Sequence, residues 1–144
     1  MATLFKLSEG ANLALHAMMV LAANPERPLD TVLVAERLGA SAHHLAKILQ
    51  RLTRAGLIRS VRGPKGGFRL GRDPEGIHLL EIYEAVEGPV EIRYCLFDLP
   101  RCPAKKCCGV GEYLGKTGEE FRKLLKTQTL AAVAVRFHGP PKTS

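Results

Sequence analysis

All four cysteines of this 144-residue chain lie within fourteen positions. They are Cys95, Cys102, Cys107 and Cys108, in the segment YCLFDLPRCPAKKCCG. Thiols gathered in this way can form a disulfide, bind a metal or an iron–sulfur cluster, or act as a redox-reactive pair. A structural zinc site is typically built from cysteines that two residues separate, and the chain has no such pair.

The setting of the chain favours two of these roles over a disulfide. At 46% hydrophobic residues, a chain of this length can bury an ordinary core without crosslinks. Its N-terminal segment has no signal-peptide pattern, and its apolar run is too short to cross a bilayer. We therefore expect a cytoplasmic protein without membrane association, in which thiols stay reduced. The bases beside the cysteines, Arg101, Lys105 and Lys106, suit the thiolates of an iron–sulfur cluster, and a cluster-free thiol switch is the alternative that they would also favour.

The net charge of +7 is concentrated in one quarter of the chain. The 36 residues between Glu36 and Asp73 contain no acid and nine bases, whereas the rest carries 12 bases against 14 acids. Such an acid-free segment is typical of a surface that binds a polyanion, and it lacks the apolar face of a membrane-surface helix. The glycine-rich RGPKGG is not a P-loop, because the Lys-Ser/Thr pair is missing. We expect a nucleic-acid-binding protein and not an enzyme.

The basic segment has the pattern of a helix-turn-helix followed by a wing. Capping residues predict helices over about 9–23, 31–38 and 42–55. The second and third are short and joined by a tight turn, and the strand candidates LIRSV and FRL flank the turn RGPKGG. The first turn of the third helix would face base edges, its later bases phosphates, and the wing a minor groove. The candidate DNA contacts are Ser41, His43, His44, Lys47, Arg51, Arg59, Arg62 and Lys65.

The second half of the chain predicts a helix over 77–88, the cysteine loop and a long helix. In that long helix, apolar residues recur at alternating steps of four and three, so Leu114, Phe121 and Leu124 would pack along a second copy. Four glycines between positions 109 and 118 each disfavour a helix, and two of them lie at its start. We therefore predict a helix over about 112–127. A short packing helix, LAAVAV, follows. We divide the chain into a DNA-binding domain (1–76), a connecting and dimerisation part (77–138) and a disordered tail (139–144).

The segments KLSEGANLALHAM, VAERLGASAHHLAKILQRLTRAGLIRSVRGPKGGFRLGR and IHLLEIYEAVEG, together with the cysteine loop, carry a resemblance. They resemble the Rrf2 family of winged-helix transcription regulators, of the IscR and NsrR type, from about residue 5 to residue 135. The resemblance implies a mostly α fold with a small β wing and a long C-terminal dimerisation helix. It also implies a homodimer on a palindromic double-stranded DNA operator, and an iron–sulfur cluster of the 2Fe–2S or 4Fe–4S type. Some relatives act instead through a bound partner enzyme.

The same resemblance implies a set of cluster ligands. The loop cysteines Cys95, Cys102 and Cys108 match the three ligands of the family, with Cys107 as an alternative or a fourth. A fourth ligand can come from the first helix of the partner subunit, where the matching position is Asn12, with Glu9 and His16 one turn to either side. Two interpretations stay open: a regulator that senses redox state, nitric oxide or iron–sulfur status through a cluster, and a cluster-free thiol-redox or partner-gated repressor.

Overall fold

The computed structural model describes residues 7–95 and 108–135, which form six α-helices and one two-stranded antiparallel sheet. The helices are α1 (Glu9–Ala22), α2 (Thr31–Leu38), α3 (Ala42–Arg54), α4 (Leu79–Glu87), α5 (Gly109–Thr127) and α6 (Leu130–Ala134). The strands are β1 (Ile58–Val61) and β2 (Gly67–Leu70), and a 3₁₀ turn, Pro74–Gly76, precedes α4. The fold class predicted from the sequence is confirmed. None of the described helices is long and apolar enough to cross a membrane.

The first three helices begin at side chains that cap them. The oxygens of Ser8, Asp30 and Ser41 each accept a hydrogen bond from the backbone N–H three residues later, at 3.0, 2.8 and 3.4 Å. Each bond satisfies one of the N–H groups that a helix start leaves without a partner. Gly39 ends α2 at φ 62°, a left-handed conformation that glycine adopts without steric cost. The predicted boundaries of α1, α2 and α3 are therefore confirmed to within a residue.

One apolar core joins the first three helices and the wing to the C-terminal helices. Helix α1 is buried on most of its circumference, and α3 and α4 pack against it. The core-facing residues of α3, α4 and the C-terminal helices are Leu45, Ile48, Leu49, Leu52, Leu79, Ile82, Val86, Leu125 and Leu130. Since side chains from both halves belong to this cluster, the predicted division after residue 76 marks no separate core and stays a prediction. The predicted tail, 139–144, lies outside the described residues.

The wing is anchored to the connection between α1 and α2. Strand β1 pairs with β2 so that Ile58 faces Leu70 and Val61 faces Gly67. Leu29 extends this ribbon, because its N–H donates to the Phe68 carbonyl (2.9 Å) and its carbonyl accepts from the Phe68 N–H (2.8 Å). A Cβ on Gly67 would overlap the backbone of Leu29, and the φ of Gly67 is 147°. Only glycine fits this crossing.

Helix α5 starts at Gly109, earlier than the sequence predicted. Cys108 caps it, since its Sγ accepts a hydrogen bond from the Gly111 N–H at 3.4 Å. The helical glycines face the segment that leads into the cysteine loop: a Cβ on Gly115 would overlap the ring of Tyr94, and one on Gly118 would lie 3.2 Å from Ile92 Cγ2. The prediction of a later start was wrong because it counted only the propensity cost of glycine. The close approach of residues 92–94 requires the glycines and compensates that cost.

Two backbone hydrogen bonds join the residues before α6 to the residues before α4. The Leu79 N–H donates to the Gln128 carbonyl at 3.0 Å, and the Leu130 N–H donates to the Ile77 carbonyl at 2.8 Å. These two bonds join the start of α4 to the end of α5. The cysteine segment lies between these two points in the sequence. The short packing helix predicted from LAAVAV is confirmed as α6.

Candidate DNA-binding surface and cysteine site

The first turn of α3 presents polar side chains next to the turn that joins it to α2. His43 is exposed, and Lys47 one turn later is exposed too. Ser41 uses its Oγ to cap the helix. His44 is half-buried, with Nδ1 3.6 Å from Oε1 of Glu9 on α1. Of the predicted contacts in this turn, His43 and Lys47 therefore have the most solvent-facing side chains.

The nine bases of the acid-free segment divide into two groups. Three bind groups of the protein itself: Arg51 the carbonyl of Val86 (2.8 Å), Arg69 the carbonyl of Pro25 (3.1 Å) and Arg72 the carboxylate of Glu81 (2.6 Å). The other six form no hydrogen bond or ion pair within the part of the chain that the structure describes: Arg37, Lys47, Arg54, Arg59, Arg62 and Lys65. These six supply the positive charge that is available to a polyanion.

The wing holds two of these bases at its tip. Arg62 and Lys65 lie in the turn between β1 and β2, and both are exposed. The turn is closed by a hydrogen bond from the Gly66 N–H to the Gly63 carbonyl at 2.9 Å. Arg59 stands opposite Arg69 across the ribbon. Because the Arg69 guanidinium turns to the α1–α2 connection, Arg59 is left as the outward-facing base of that pair.

Glu81 links the end of the wing to α4. Its carboxylate accepts from the His78 N–H at 2.9 Å and from Arg72 at 2.6 Å. Burial alone would raise the pKa of Glu81, but the bonds from the His78 backbone and the Arg72 guanidinium outweigh burial and hold that pKa below its ordinary value. The ionised carboxylate therefore both caps α4 and binds the chain that leaves β2.

The start of α5 carries Cys108 and lies against the residue that precedes Cys95. Cys108 Sγ accepts from the Gly111 N–H, and the carbonyl of Tyr94, next to Cys95, lies against the Cα of the same glycine. Both cysteines are partly buried. The other two predicted ligands, Cys102 and Cys107, lie outside the described residues. Among the residues that are described, no three His, Cys, Asp or Glu side chains converge to hold a metal ion.

The three α1 residues predicted as alternative fourth ligands line a single cleft. Glu9, Asn12 and His16 form one wall of a cavity of about 280 Å³. The opposite side includes Leu38, Gly39 and Ala40, in the helix-turn-helix. His16 Nδ1 lies 2.8 Å from the carbonyl oxygen of Asn12. Since a carbonyl only accepts, Nδ1 is the donor of this hydrogen bond.

An apolar stripe runs along the outer side of α5. Val110, Tyr113, Phe121 and Leu124 are 56%, 71%, 40% and 50% exposed, and Leu114 is half-buried. Large apolar side chains gathered on one helix face mark an interaction surface. The sequence pattern found Leu114, Phe121 and Leu124 but missed Tyr113, which lies one position outside the four–three repeat. It also missed Tyr94, for which the glycines at helical spacing were the available signal.

A helix-turn-helix, a wing with glycines at its tip and a surface of basic side chains that bind no other group of the described residues define a winged-helix transcription regulator. The chain belongs to the Rrf2 family: residues 7–136 match the family described as Rrf2, iron-dependent transcriptional regulator. Members of this family are regulators and not enzymes, as the sequence predicted.

The comparisons also show how the chain relates to individual members. It is 42% identical over 82 residues to the BadM protein of Rhodopseudomonas palustris, covering 57% of this chain and 53% of that one. It is 35% identical over 108 residues to the HTH-type transcriptional regulator IscR of Escherichia coli, covering 74% and 62%. The chain thus spans about half to three-fifths of these relatives. The structure of CymR, the global cysteine regulator of B. subtilis, superposes with a TM-score of 0.75 at 30% identity, covering 93% of this chain and 99% of that one.

Proposed function

We propose that the chain is a homodimeric cytoplasmic regulator whose affinity for a palindromic DNA operator depends on an iron–sulfur cluster, 2Fe–2S or 4Fe–4S, bound at its cysteines. The observation that carries the proposal is that Cys108 and the Tyr94 carbonyl, which directly precedes Cys95, both lie against Gly111. This point is the start of the helix whose apolar stripe would join two copies. The sensor and the dimer axis would then share one element.

DNA would be bound by α3 and the wing together. The first turn of a recognition helix points into the major groove, so the exposed His43 would reach base edges and Lys47 a phosphate. Arg62 and Lys65 would enter the adjacent minor groove from the wing tip. Arg59 lies on β1, between the wing tip and the core, and would contact the phosphate backbone of the DNA. All five residues are exposed or half-buried, and none of the four last-named bases is engaged in the described protein.

Dimerisation would cover the stripe on α5. Two copies related by a two-fold axis bury the same face on each subunit, and such a dimer matches an inverted repeat. The two recognition helices must then stand roughly 34 Å apart, one turn of the double helix. A small change in their spacing is enough to change operator affinity.

The donors that the structure describes fit a cluster shared between two subunits. Thiolates are the ligands of iron–sulfur clusters, and Cys95 and Cys108 supply two from one protomer, to which Cys102 or Cys107 would add a third. Of the α1 residues, His16 would be the fourth donor, because imidazole nitrogen joins thiolates as a ligand in some iron–sulfur clusters. Asn12 is a poor iron ligand, and Glu9 faces His44. When bound, the cluster would supply a group that oxidants or nitric oxide can alter.

The residues of the chain explain how occupancy could change DNA binding. Cys108 caps the helix proposed to dimerise, and Cys95 lies on the segment that follows α4. Ligation of both would fix α5 relative to the DNA-binding half. Its loss would release that constraint and shift an existing equilibrium between dimers with different spacing of α3.

The likeness to CymR, a cysteine regulator, is consistent with a second candidate, a cluster-free thiol-redox or partner-gated repressor with the same fold. Here the cysteines would change state by oxidation, or a partner enzyme would bind the regulator. The DNA-binding surface would be the same in both candidates. The two differ in whether the protein binds iron.

Anaerobic reconstitution with iron and sulfide, followed by absorption and Mössbauer spectra, separates the candidates. We expect Cys95→Ala and Cys108→Ala to lose iron and visible absorbance, and Cys107→Ala to be milder. His16→Ala should change the spectrum, whereas Asn12→Ala, one turn away on the same helix, should not. If the wild type takes up no iron, or if the cysteine variants bind it like the wild type, the thiol-redox candidate replaces the cluster. Operator binding by gel shift before and after reconstitution completes the test.

A further inference from the structure

We infer that Arg51, a base of the recognition helix, is a positioning residue and not a phosphate contact. Its guanidinium ties α3 to the carboxyl end of α4, the point from which the chain runs to Cys95. The inference rests on the proposed DNA-binding function and adds an internal role for one of its predicted contacts. It replaces the sequence-based interpretation of Arg51 as a base that faces DNA.

The acceptor of this bond is a carbonyl that α4 leaves without a helical partner. In a continued helix, the Val86 carbonyl would accept from the N–H of residue 90. Gly88 ends the helix at φ 85°, and the Val90 N–H donates to Glu84 Oε1 at 3.2 Å instead. Arg51 Nη1 supplies the missing donor at 2.8 Å. The last carbonyls of a helix also carry the negative end of its dipole, so a cation is favoured there.

Three helices converge at this carbonyl. Gly10 of α1 is so close that a Cβ on it would lie 3.3 Å from Val86 Cγ1 and 3.5 Å from Ile48 Cδ1 of α3. The Ser8 hydroxyl, which caps α1, donates to the carboxylate of Glu87. The end of α4 is therefore packed between the start of α1 and the middle of α3. Arg51 contributes the hydrogen bond from the α3 side. This bond would hold the orientation of α3 relative to the end of α4.

Lys47 provides the matched comparison. It lies one turn before Arg51 on the same helix and is exposed, as Arg51 is, but it has no hydrogen bond or ion pair in the described structure. A base that neutralises a phosphate releases counterions, and its removal lowers the dependence of log K on log salt by about one unit. A base that only orients the helix leaves that dependence unchanged.

The test uses the full chain with Arg51→Gln and Lys47→Gln. A duplex selected from a random pool by the wild type, and a scrambled duplex of the same composition, are titrated at several salt concentrations. We expect Lys47→Gln to weaken both duplexes evenly and to lower the salt slope by about one. We expect Arg51→Gln to keep the wild-type slope and to reduce discrimination between the duplexes by roughly tenfold, the size of one lost base contact.

Each result has a defined meaning. A fall in the salt slope for Arg51→Gln, like that for Lys47→Gln, shows a phosphate contact and overturns the inference. A lower melting temperature with unchanged slope and unchanged discrimination shows a merely structural bond and overturns it as well. If the wild type itself does not discriminate between the duplexes, the proposed specific regulator fails. The slopes on the scrambled duplex still decide whether Arg51 touches phosphate.

Discussion

Replacing Gly115 with alanine should destabilise the protein, although alanine is the better helix former. Alanine is favoured over glycine in a helix interior by about 1 kcal/mol. At Gly115, however, the new Cβ would occupy the space of the Tyr94 ring. Tyr94 would have to leave the helix surface, and the residues that lead to Cys95 would move with it.

The size of this effect follows from the covered surface of Tyr94. The residue is 59% exposed, so about two-fifths of it is covered. An aromatic side chain buries roughly 200 Å² when fully covered, so the contact amounts to about 80 Å². At about 25 cal/mol per Å², its loss costs about 2 kcal/mol. After the gain in helix propensity, we expect a net loss of about 1 kcal/mol in the free energy of unfolding.

Gly109→Ala is the control. Gly109 lies in the same helix, and a Cβ on it would meet nothing within 4 Å. This variant should be stabilised by about 0.5 kcal/mol or more, because alanine restricts the unfolded chain. Urea unfolding at one fixed protein concentration measures both, since the proposed dimerisation would make stability depend on concentration. If Gly115→Ala is as stable as Gly109→Ala, Tyr94 does not rest on α5 and the account of its glycines is wrong.

Three further predictions concern the stripe, the wing and the start of α4. Leu124→Asp should dissociate the proposed dimer in sedimentation and abolish operator binding in gel shifts. Lys123→Asp, on the charged side of the same helix, should stay dimeric. A wild-type monomer near 15.7 kDa that binds DNA tightly would contradict the proposed assembly. Gly67→Ala should lower the free energy of unfolding by about 2 kcal/mol or more in thermal unfolding, because its Cβ would overlap the Leu29 backbone. At Gly63 nothing lies within 4 Å, so Gly63→Ala should lose only the stability that a positive φ costs alanine. Glu81→Gln should flatten the loss of stability in acid: the folded-state pKa is below its ordinary value of 4.5, so the contribution of this carboxylate is present above that pH and is lost as pH falls through the folded pKa. Equal acid profiles for Glu81→Gln and the wild type would contradict this.

The features that the sequence predicted well are those determined by local chemistry. Ser8, Asp30 and Ser41 cap helices through bonds to residues three positions away, and such bonds can be read from the chain alone. The stripe of α5 follows from helical spacing in the same way. Each of these features is decided within a few residues of sequence.

The features that the sequence did not predict depend on partners far along the chain. Arg51 and Val86 are 35 positions apart, so a basic side chain on a recognition helix gave no sign of an internal acceptor. The start of α5 depends on Tyr94, which lies on the other side of the cysteine loop. A prediction from the helix propensity of glycine alone therefore put the start of α5 too late in the sequence. At both positions, tertiary contact outweighs the local preference.

The two backbone bonds at the base of α6 have a consequence for how this architecture can change in evolution. They hold residues 77–79 against residues 128–130, so the chain between them leaves and returns at a fixed point. The entropy lost on closing such an excursion grows only with the logarithm of its length, by about 0.6 kcal/mol for each doubling. Insertions and deletions around the cysteines are therefore cheap for the rest of the fold. The spacing of the cysteines can therefore change while the winged domain stays the same.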